Sequence, residues 1–122
     1  MRAISLWQPW AQLIAIGEKS VETRRWPTKI RGQIAVHAAK HKPDKLLLIA
    51  DLPLGAIVGT VEIINCVHIE ELYGSAYDTL TERSYGDWSD GRFGWILSNP
   101  KLFEIPMVTG RQGFWHWDDS AL

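Results

Sequence analysis

The spacing of apolar side chains predicts a chain made mostly of short strands. Val, Ile, Thr and aromatic residues alternate with polar ones or form short apolar runs, and Gly, Pro, Asn or Asp separate these runs. Residues 56–69 form the run with the most β-branched residues, and we expect this run to be a central strand. Gly59 within it is a candidate bulge. Extended segments are predicted at residues 2–7, 20–26, 32–40, 56–69, 92–99, 101–108 and 113–117.

One segment, residues 8–17, has helical spacing instead. Trp10, Leu13 and Ile14 recur at intervals of three and four residues, which places them on one face of a helix. A proline suits the first helical turn, and Gly17 is suited to the helix end. We therefore expect this helix to pack against the strands through that face.

These elements together predict an α+β fold. Proline and charges at 41–55 indicate a short helix and a turn, and the glycines and aspartates of 70–91 indicate a loop with one helical turn. Many short strands with one or two helices are typical of a mixed, largely antiparallel β-barrel, here of about five to six strands with the 8–17 helix across one opening. The side chains expected in its core are Ile34, Val36, Val58, Val61, Ile63, Trp95 and Ile96.

Length and composition indicate one folded domain, residues 1–122. Hydrophobic residues make up 46% of the chain and charged residues 22%, which is typical of globular proteins and not of disordered ones. The single Cys66 cannot form an internal disulfide, and no apolar run reaches the ~20 residues of a membrane span. Because the first residues also lack the pattern of a signal peptide, we expect a cytoplasmic protein without a membrane partner.

The net charge of −1 conceals an uneven distribution. Residues 1–60 carry nine lysines and arginines against four acidic residues, so the acidic excess lies in the second half. If the first half presents its charges on one face, that face can attract a polyanion. A salt-bridged surface without any ligand would have the same charge count.

Seven tryptophans in 122 residues are a heavy aromatic load. Trp7, Trp95 and Trp115 fall on predicted strands, where a small domain needs large apolar side chains for its core. Trp26 differs because it follows two arginines and precedes a proline, and an exposed indole beside cations can stack on a nucleobase. Trp10, next to Gln8 at the predicted helix start, is a second stacking candidate.

The segment between the helix and the third strand concentrates charged side chains. On an extended strand Glu22 and Arg24 point to the same face, whereas Arg25 points to the other. Lys19 lies near enough in sequence to approach Glu22. Such a lysine and carboxylate could hold a substrate, act as acid and base, or form a structural salt bridge, and sequence physics leaves these alternatives open.

Other polar residues give weaker indications. Ser98 and Asn99 end a predicted strand where they could reach a ligand, and the glycines around Arg111 could let backbone amides approach an anion. His37 lies in an apolar run and is expected to be a packed, hydrogen-bonded histidine. The remaining histidines are too dispersed for a metal site, so neither a metal nor another cofactor is indicated.

The arrangement of these residues resembles the activating-signal-cointegrator homology (ASCH) domain family, which has a PUA-like β-barrel fold. The family hallmark is Gly-x-Lys-x-x-Glu-x-Arg after a helix, and flanking blocks of this chain are also similar to family members. The matching residues are Gly17, Lys19, Glu22 and Arg24 in the motif, and Gln8, Pro9, Trp10, "WILSNP" and "GRQGFWHW" around it.

The resemblance implies a nucleic-acid-related pocket between the helix and the barrel, lined by the motif. It also implies a possible hydrolase, because some small bacterial relatives deacetylate N(4)-acetylcytidine with a lysine, a threonine and a glutamate, and others are ribonuclease-like. Lys19 matches the lysine, but Glu22 stands where the threonine falls. Thr23 faces away from Glu22 on an extended strand, and Glu82 is only a loose match to the glutamate.

Two hypotheses from different classes follow. The first is a domain that binds RNA, another single-stranded nucleic acid or a modified nucleoside through phosphate contacts and base stacking. The second is a hydrolase of N-acylated nucleosides or RNA, with Lys19 and Glu22 as its catalytic pair. The oligomeric state is left open. The candidate nucleic-acid-binding residues are Gln8, Trp10, Arg24, Arg25, Trp26, Lys29, Arg31, Ser98, Asn99 and Arg111.

Overall fold

The computed structural model describes residues 1–41, 51–120 and 122, and within them the chain forms six strands and two short α-helices. In chain order these are β1 (Arg2–Leu6), α1 (Trp10–Ala15), β2 (Val21–Arg24), β3 (Gly32–Ala38), β4 (Ala56–His68), α2 (Leu80–Ser84), β5 (Phe93–Ile105) and β6 (Phe114–His116). A 3-10 helix, Ile69–Leu72, lies between β4 and α2.

The six strands form one curled, mixed sheet in the order β2, β5, β4, β3, β1, β6. The pair β1 and β3 is parallel, and the other four neighbouring pairs are antiparallel. β4 lies inside the sheet, whereas β2 and β6 are its edges. The predicted α+β class and the largely antiparallel, barrel-like sheet are therefore confirmed.

Alternation along the strands divides the apolar side chains between the two faces of the sheet. On β3, Ile34 and Val36 join the large core beneath α1, whereas Ala35 joins a smaller core on the opposite face. From α1, Ile14 and Ala15 complete the large core. All seven side chains expected in the core are buried.

The helix α1 is shorter than the predicted segment. It begins after Pro9 and ends before Gly17, which has a φ of +85°. Because this left-handed backbone conformation suits glycine, the chain turns sharply here, and the Lys19 amide donates to the Leu13 carbonyl at 3.0 Å. The turn directs the chain from the helix into β2.

β5 is one continuous strand, although two strands on either side of Asn99 and Pro100 were predicted. These two residues stand opposite Val61 in a bulge of the pairing between β4 and β5. Because the bulge accommodates both the positive φ of Asn99, 53°, and the missing amide hydrogen of the proline, pairing resumes beyond them.

The prediction that Trp7 lies in the core was wrong. β1 ends one residue earlier, and the Trp7 side chain is 57% exposed and stacks on His41 with ring centroids 3.7 Å apart. Trp95 is buried as predicted, and Trp115 is half-buried. Trp26 is 55% exposed, as its sequence context indicated.

The short helix predicted within 41–55 falls largely on residues 42–50, which lie outside the described residues. In the described part of the chain, none of the helices has the length and apolar character needed to cross a membrane.

Buried Glu82 attaches α2 to the chain that enters β2. Its side chain is 7% exposed, and its Oε1 accepts a hydrogen bond from the Ser20 amide. Thr79 caps the same helix, since its Oγ1 accepts from the Glu82 amide at 3.0 Å. Glu82 therefore acts as a structural acceptor next to the motif.

We predict that Glu82→Ala lowers the free energy of unfolding by about 1–3 kcal/mol, because the Ser20 amide loses its acceptor. Glu82→Gln retains an acceptor oxygen of similar position and should lose much less. Urea unfolding of the two variants and the wild type measures the difference. Equal losses for both variants would show that the acceptor oxygen is not what matters.

His37 joins three strands to the segment that follows β5. Its Nε2 donates to the Val108 carbonyl at 2.7 Å, so Nδ1 accepts from the Ser5 hydroxyl at 2.9 Å. The Trp115 indole nitrogen in turn donates to Ser5 Oγ at 3.0 Å. Burial lowers the pKa of His37 below its usual 6.5, and its hydrogen bond to Val108 opposes this shift. The neutral imidazole is thus the form that the fold holds.

We predict that His37 makes the protein less stable below pH 6.5. As its pKa is lowered in the folded state, the unfolded chain takes up the proton first, and its contribution to the free energy of unfolding is lost as the pH falls. One such group contributes a slope of at most about 1.4 kcal/mol per pH unit. Unfolding measured from pH 8 to 5 for the wild type and His37→Gln isolates this contribution. Parallel curves would contradict it.

Candidate functional site

The lysine of the motif is buried between α1 and β2. Lys19 is only 2% exposed, and its Nζ donates to the Val21 carbonyl and lies 3.4 Å from Glu22 Oε1. A buried ammonium needs a counter-ion because removing it from water is costly. Glu22 supplies the negative charge at this position.

The same carboxylate also contacts the arginine of the motif. Glu22 Oε2 lies 3.3 Å from Arg24 Nε, and the two side chains project from the same face of β2, as their spacing predicts. Arg25, on the next residue, is exposed. Lys19, Glu22 and Arg24 therefore form a continuous chain of charges, which we call the motif ion chain.

Trp95 contacts the Arg24 end of the motif ion chain. The Arg24 guanidinium carbon lies 5.6 Å from the centre of its ring, within range of a cation–π contact. The indole nitrogen of Trp95 donates to the Trp26 carbonyl at 3.3 Å, and its ring stacks on Phe114 with centroids 5.5 Å apart. One buried tryptophan thus positions both Arg24 and the backbone of Trp26.

Arg24 and Trp26 line a cleft of about 730 Å³. Two further cations, Lys40 and Arg111, and a second exposed indole, Trp7, also line it. None of the described lining residues is acidic. The remaining lining residues are Ser5, His37, Ala39, Val108, Thr109, Gly110, Gln112 and Gly113.

Three of the candidate binding residues, Arg24, Trp26 and Arg111, thus meet in this cleft, and others do not. Gln8 is buried, its amide nitrogen donates to the Pro53 carbonyl at 3.0 Å, and its oxygen accepts from the Gln12 amide at 2.9 Å. Its side chain is therefore engaged within the fold. Trp10 is half-buried beside Tyr85, with ring centroids 6.1 Å apart.

The other cations of the opening segment are exposed but do not line the cleft. Arg25 and Lys29 have exposed side chains, and Arg31 donates to the carbonyls of Thr28 and Ile30 at 3.0 and 2.9 Å. Arg31 thus satisfies part of its hydrogen-bonding capacity within its own loop.

Ser98 and Asn99 lie elsewhere, in a pocket of about 190 Å³ that Lys19 also lines. This small pocket is separate from the cleft, because the two share none of their described lining residues.

Trp7 and Lys40 line the cleft, although their sequence context did not identify them as binding candidates. Trp7 follows β1 and Lys40 follows β3, and these two strands are parallel neighbours, so their carboxyl ends meet at one edge. The parallel pairing was the necessary signal, and local residue patterns do not reveal which strands pair.

Lys19 and Glu82 are poorly placed to meet a molecule bound in the cleft, although Lys19 lines the smaller pocket with Ser98 and Asn99. Both side chains are buried, and neither lines the cleft. Thr23 is buried as well. In this arrangement Lys19 suits the positioning of Glu22 and Arg24 better than proton transfer to a bound molecule.

Comparisons with known proteins place the fold in context. The human protein Activating signal cointegrator 1 is 29% identical over an alignment of 135 positions, gaps included, and the mouse protein of the same name is 28% identical. Each alignment covers 96% of this chain but 22% of the relative, so the chain spans about one fifth of the length of these proteins.

Solved structures of an ASCH protein from Zymomonas mobilis have the same fold. One has a TM-score of 0.65 at 18% identity, covering 98% of this chain and 90% of that one, and a mutant of the same protein has a TM-score of 0.64. At this identity the likeness concerns the fold alone. The family model of the ASCH domain matches residues 4–107, a range that includes Lys19, Glu22 and Arg24. This protein chain therefore belongs to the ASCH domain family.

Proposed function

We propose that this chain binds a nucleotide of single-stranded or locally unpaired nucleic acid, most simply RNA, in the cleft. The observation that carries the proposal is the composition of its walls. Three cations, Arg24, Lys40 and Arg111, stand with the exposed indoles of Trp7 and Trp26, and no acidic residue is among the described residues that line the cleft.

These side chains match the two chemical parts of a nucleotide. Cations neutralise phosphates and release the phosphates' counter-ions. An indole stacks on a base with little preference for which base it is. The volume of about 730 Å³ lies within the range of ~300–1,000 Å³ that small-molecule sites occupy. A single nucleotide with its flanking phosphates suits such a space.

The net charge of −1 does not oppose this function. At physiological salt, the interaction between exposed charges is screened beyond about 8–10 Å. A polyanion at the cleft therefore responds to the local cations more than to distant carboxylates. The exposed cations Arg25, Lys29 and Arg31 would extend the contact along the phosphate backbone. Their contribution would be less specific, because they do not line the cleft.

The hydrolase alternative has weaker support. Its catalytic pair would be Lys19 and Glu22, but the Lys19 amine is buried and already engaged by the Val21 carbonyl and Glu22. A catalytic group must come within hydrogen-bond reach of the reacting atoms. Binding is therefore the function that this geometry favours.

We predict that short single-stranded RNA binds this protein with an affinity that falls as salt rises. Arg111→Ala should weaken binding and lower the slope of log K against log salt by about 0.7, the value for one phosphate contact on a single strand. Fluorescence anisotropy from 50 to 300 mM salt measures both quantities. Lys101→Ala is the matched control, since this exposed cation does not line the cleft. Equal effects of the two changes, or binding independent of salt, would contradict the proposal.

We predict that Glu22→Gln reduces selectivity among bases while weak, salt-dependent binding remains. The amide has the same shape but cannot pair with Lys19 and Arg24, so Arg24 loses its fixed position. On a merely basic surface, removal of a carboxylate would instead strengthen binding. Affinities for four homopolymeric oligonucleotides, compared with those of the wild type, measure the change.

Glu62→Gln provides the matched control for this experiment. It removes one carboxylate from β4, outside the cleft. A folded Glu22→Gln protein that binds more tightly with unaltered base preference would show that Glu22 does not organise the cleft.

A further inference from the structure

The segment after β5 forms one wall of the cleft and carries free backbone donors. Residues 108–113 line it continuously, with Arg111 exposed among them. Among the hydrogen bonds of the described chain, none uses the amide of Thr109, Gly110, Arg111 or Gln112. Within the described residues, these amides at a cationic cleft therefore have no hydrogen-bond partner.

The beginning of this segment is held in place before any ligand arrives. The Val108 amide donates to the Gly55 carbonyl at 2.9 Å, and the Val108 carbonyl accepts from His37 at 2.7 Å. Gly110 packs so closely that a Cβ there would clash with Ser5 Oγ and with the His37 ring. Only glycine allows this approach, so the amides that follow are presented from an anchored backbone.

We propose that residues 109–112 form a phosphate seat, in which backbone amides and the Arg111 guanidinium bind a phosphate of the nucleotide in the cleft. Backbone amides at a bend can form an anion-binding concavity, the chain bends at Gln112 and Gly113, and a guanidinium adds a charged, bidentate donor. The inference rests on the proposed function and narrows it, because the ligand is then a nucleotide and not a free nucleoside.

Because the segment is already anchored, a ligand loses less binding free energy when it binds there. A ligand that must order a mobile loop loses part of its binding free energy to that ordering, whereas a loop already held by Val108 and Gly110 requires less. Backbone amides that bind a phosphate do not distinguish one base from another. The seat therefore positions the phosphate and does not select the base. The indoles of Trp7 and Trp26 remain available to contact the base.

The test is amide NMR of the whole chain titrated separately with uridine, uridine 5′-monophosphate, uridine 3′-monophosphate, the dinucleotide UpU, short single-stranded RNA oligonucleotides and inorganic phosphate. We expect the amides of 109–112 to shift and saturate with phosphate-bearing ligands, and uridine to bind at least tenfold more weakly than the better monophosphate. Response to the monophosphates alone identifies a terminal phosphate, whereas response to UpU identifies a bridging one. Both results support the seat.

Two outcomes overturn the inference in distinguishable ways. If RNA oligonucleotides shift other cleft residues but not 109–112, or uridine binds as tightly as its monophosphates, the seat fails and the proposed function stands. If no ligand, RNA included, shifts any cleft residue, both fail.

Substitutions give a second, independent measurement. Gly110→Ala should displace the segment and lower affinity for the monophosphate at least tenfold, with a smaller effect on uridine. Because this change also presses on His37, Arg111→Ala provides a variant without that clash and should show the same bias toward loss of the monophosphate. Equal losses for monophosphate and uridine in both variants would contradict the seat.

Discussion

The site depends on the need of one buried ammonium group for a counter-ion. Lys19 is 2% exposed, and Glu22 provides the charge that makes its burial tolerable. The other oxygen of the same carboxylate is then available to hold Arg24 at the cleft. The motif spacing follows from this geometry. Gly17 ends the helix and the lysine side chain is buried. The two-residue period of a strand then places the arginine on the same face as the glutamate.

The sheet converts this local arrangement into a cleft. Among the described strands, β2 is an edge strand that pairs with β5 alone, and Trp95 of β5 supports both Arg24 and Trp26. On the other side, the parallel pairing of β1 and β3 brings the residues that follow them to the same opening. The cleft thus combines residues from four separate parts of the chain, and the buried tryptophan supports the part that β2 contributes.

Much of the fold and part of the site could be predicted from sequence, for identifiable reasons. Strand alternation is local, so the shared face of Glu22 and Arg24 follows from their spacing. Trp7 was misassigned because a strand end one residue earlier reverses the expected environment. The burial of Gln8 was not foreseen, because a buried amide can be satisfied by a distant carbonyl, that of Pro53. The contribution of Lys40 depends on which strands pair, and local patterns do not contain that information.

A carboxylate among cations lowers the attraction for any polyanion, so its presence in the motif requires a compensating gain. A free arginine side chain loses up to about 2 kcal/mol of rotamer entropy when a ligand fixes it. The ion pair with Glu22 and the ring of Trp95 already restrict Arg24, so a ligand that fits the fixed guanidinium avoids much of that loss. A ligand that does not fit must break the ion pair. Exposed Arg25 and Lys29 have no described ion pair and respond to phosphate in any position. In the proposed binding mode, the glutamate therefore exchanges general affinity for selectivity.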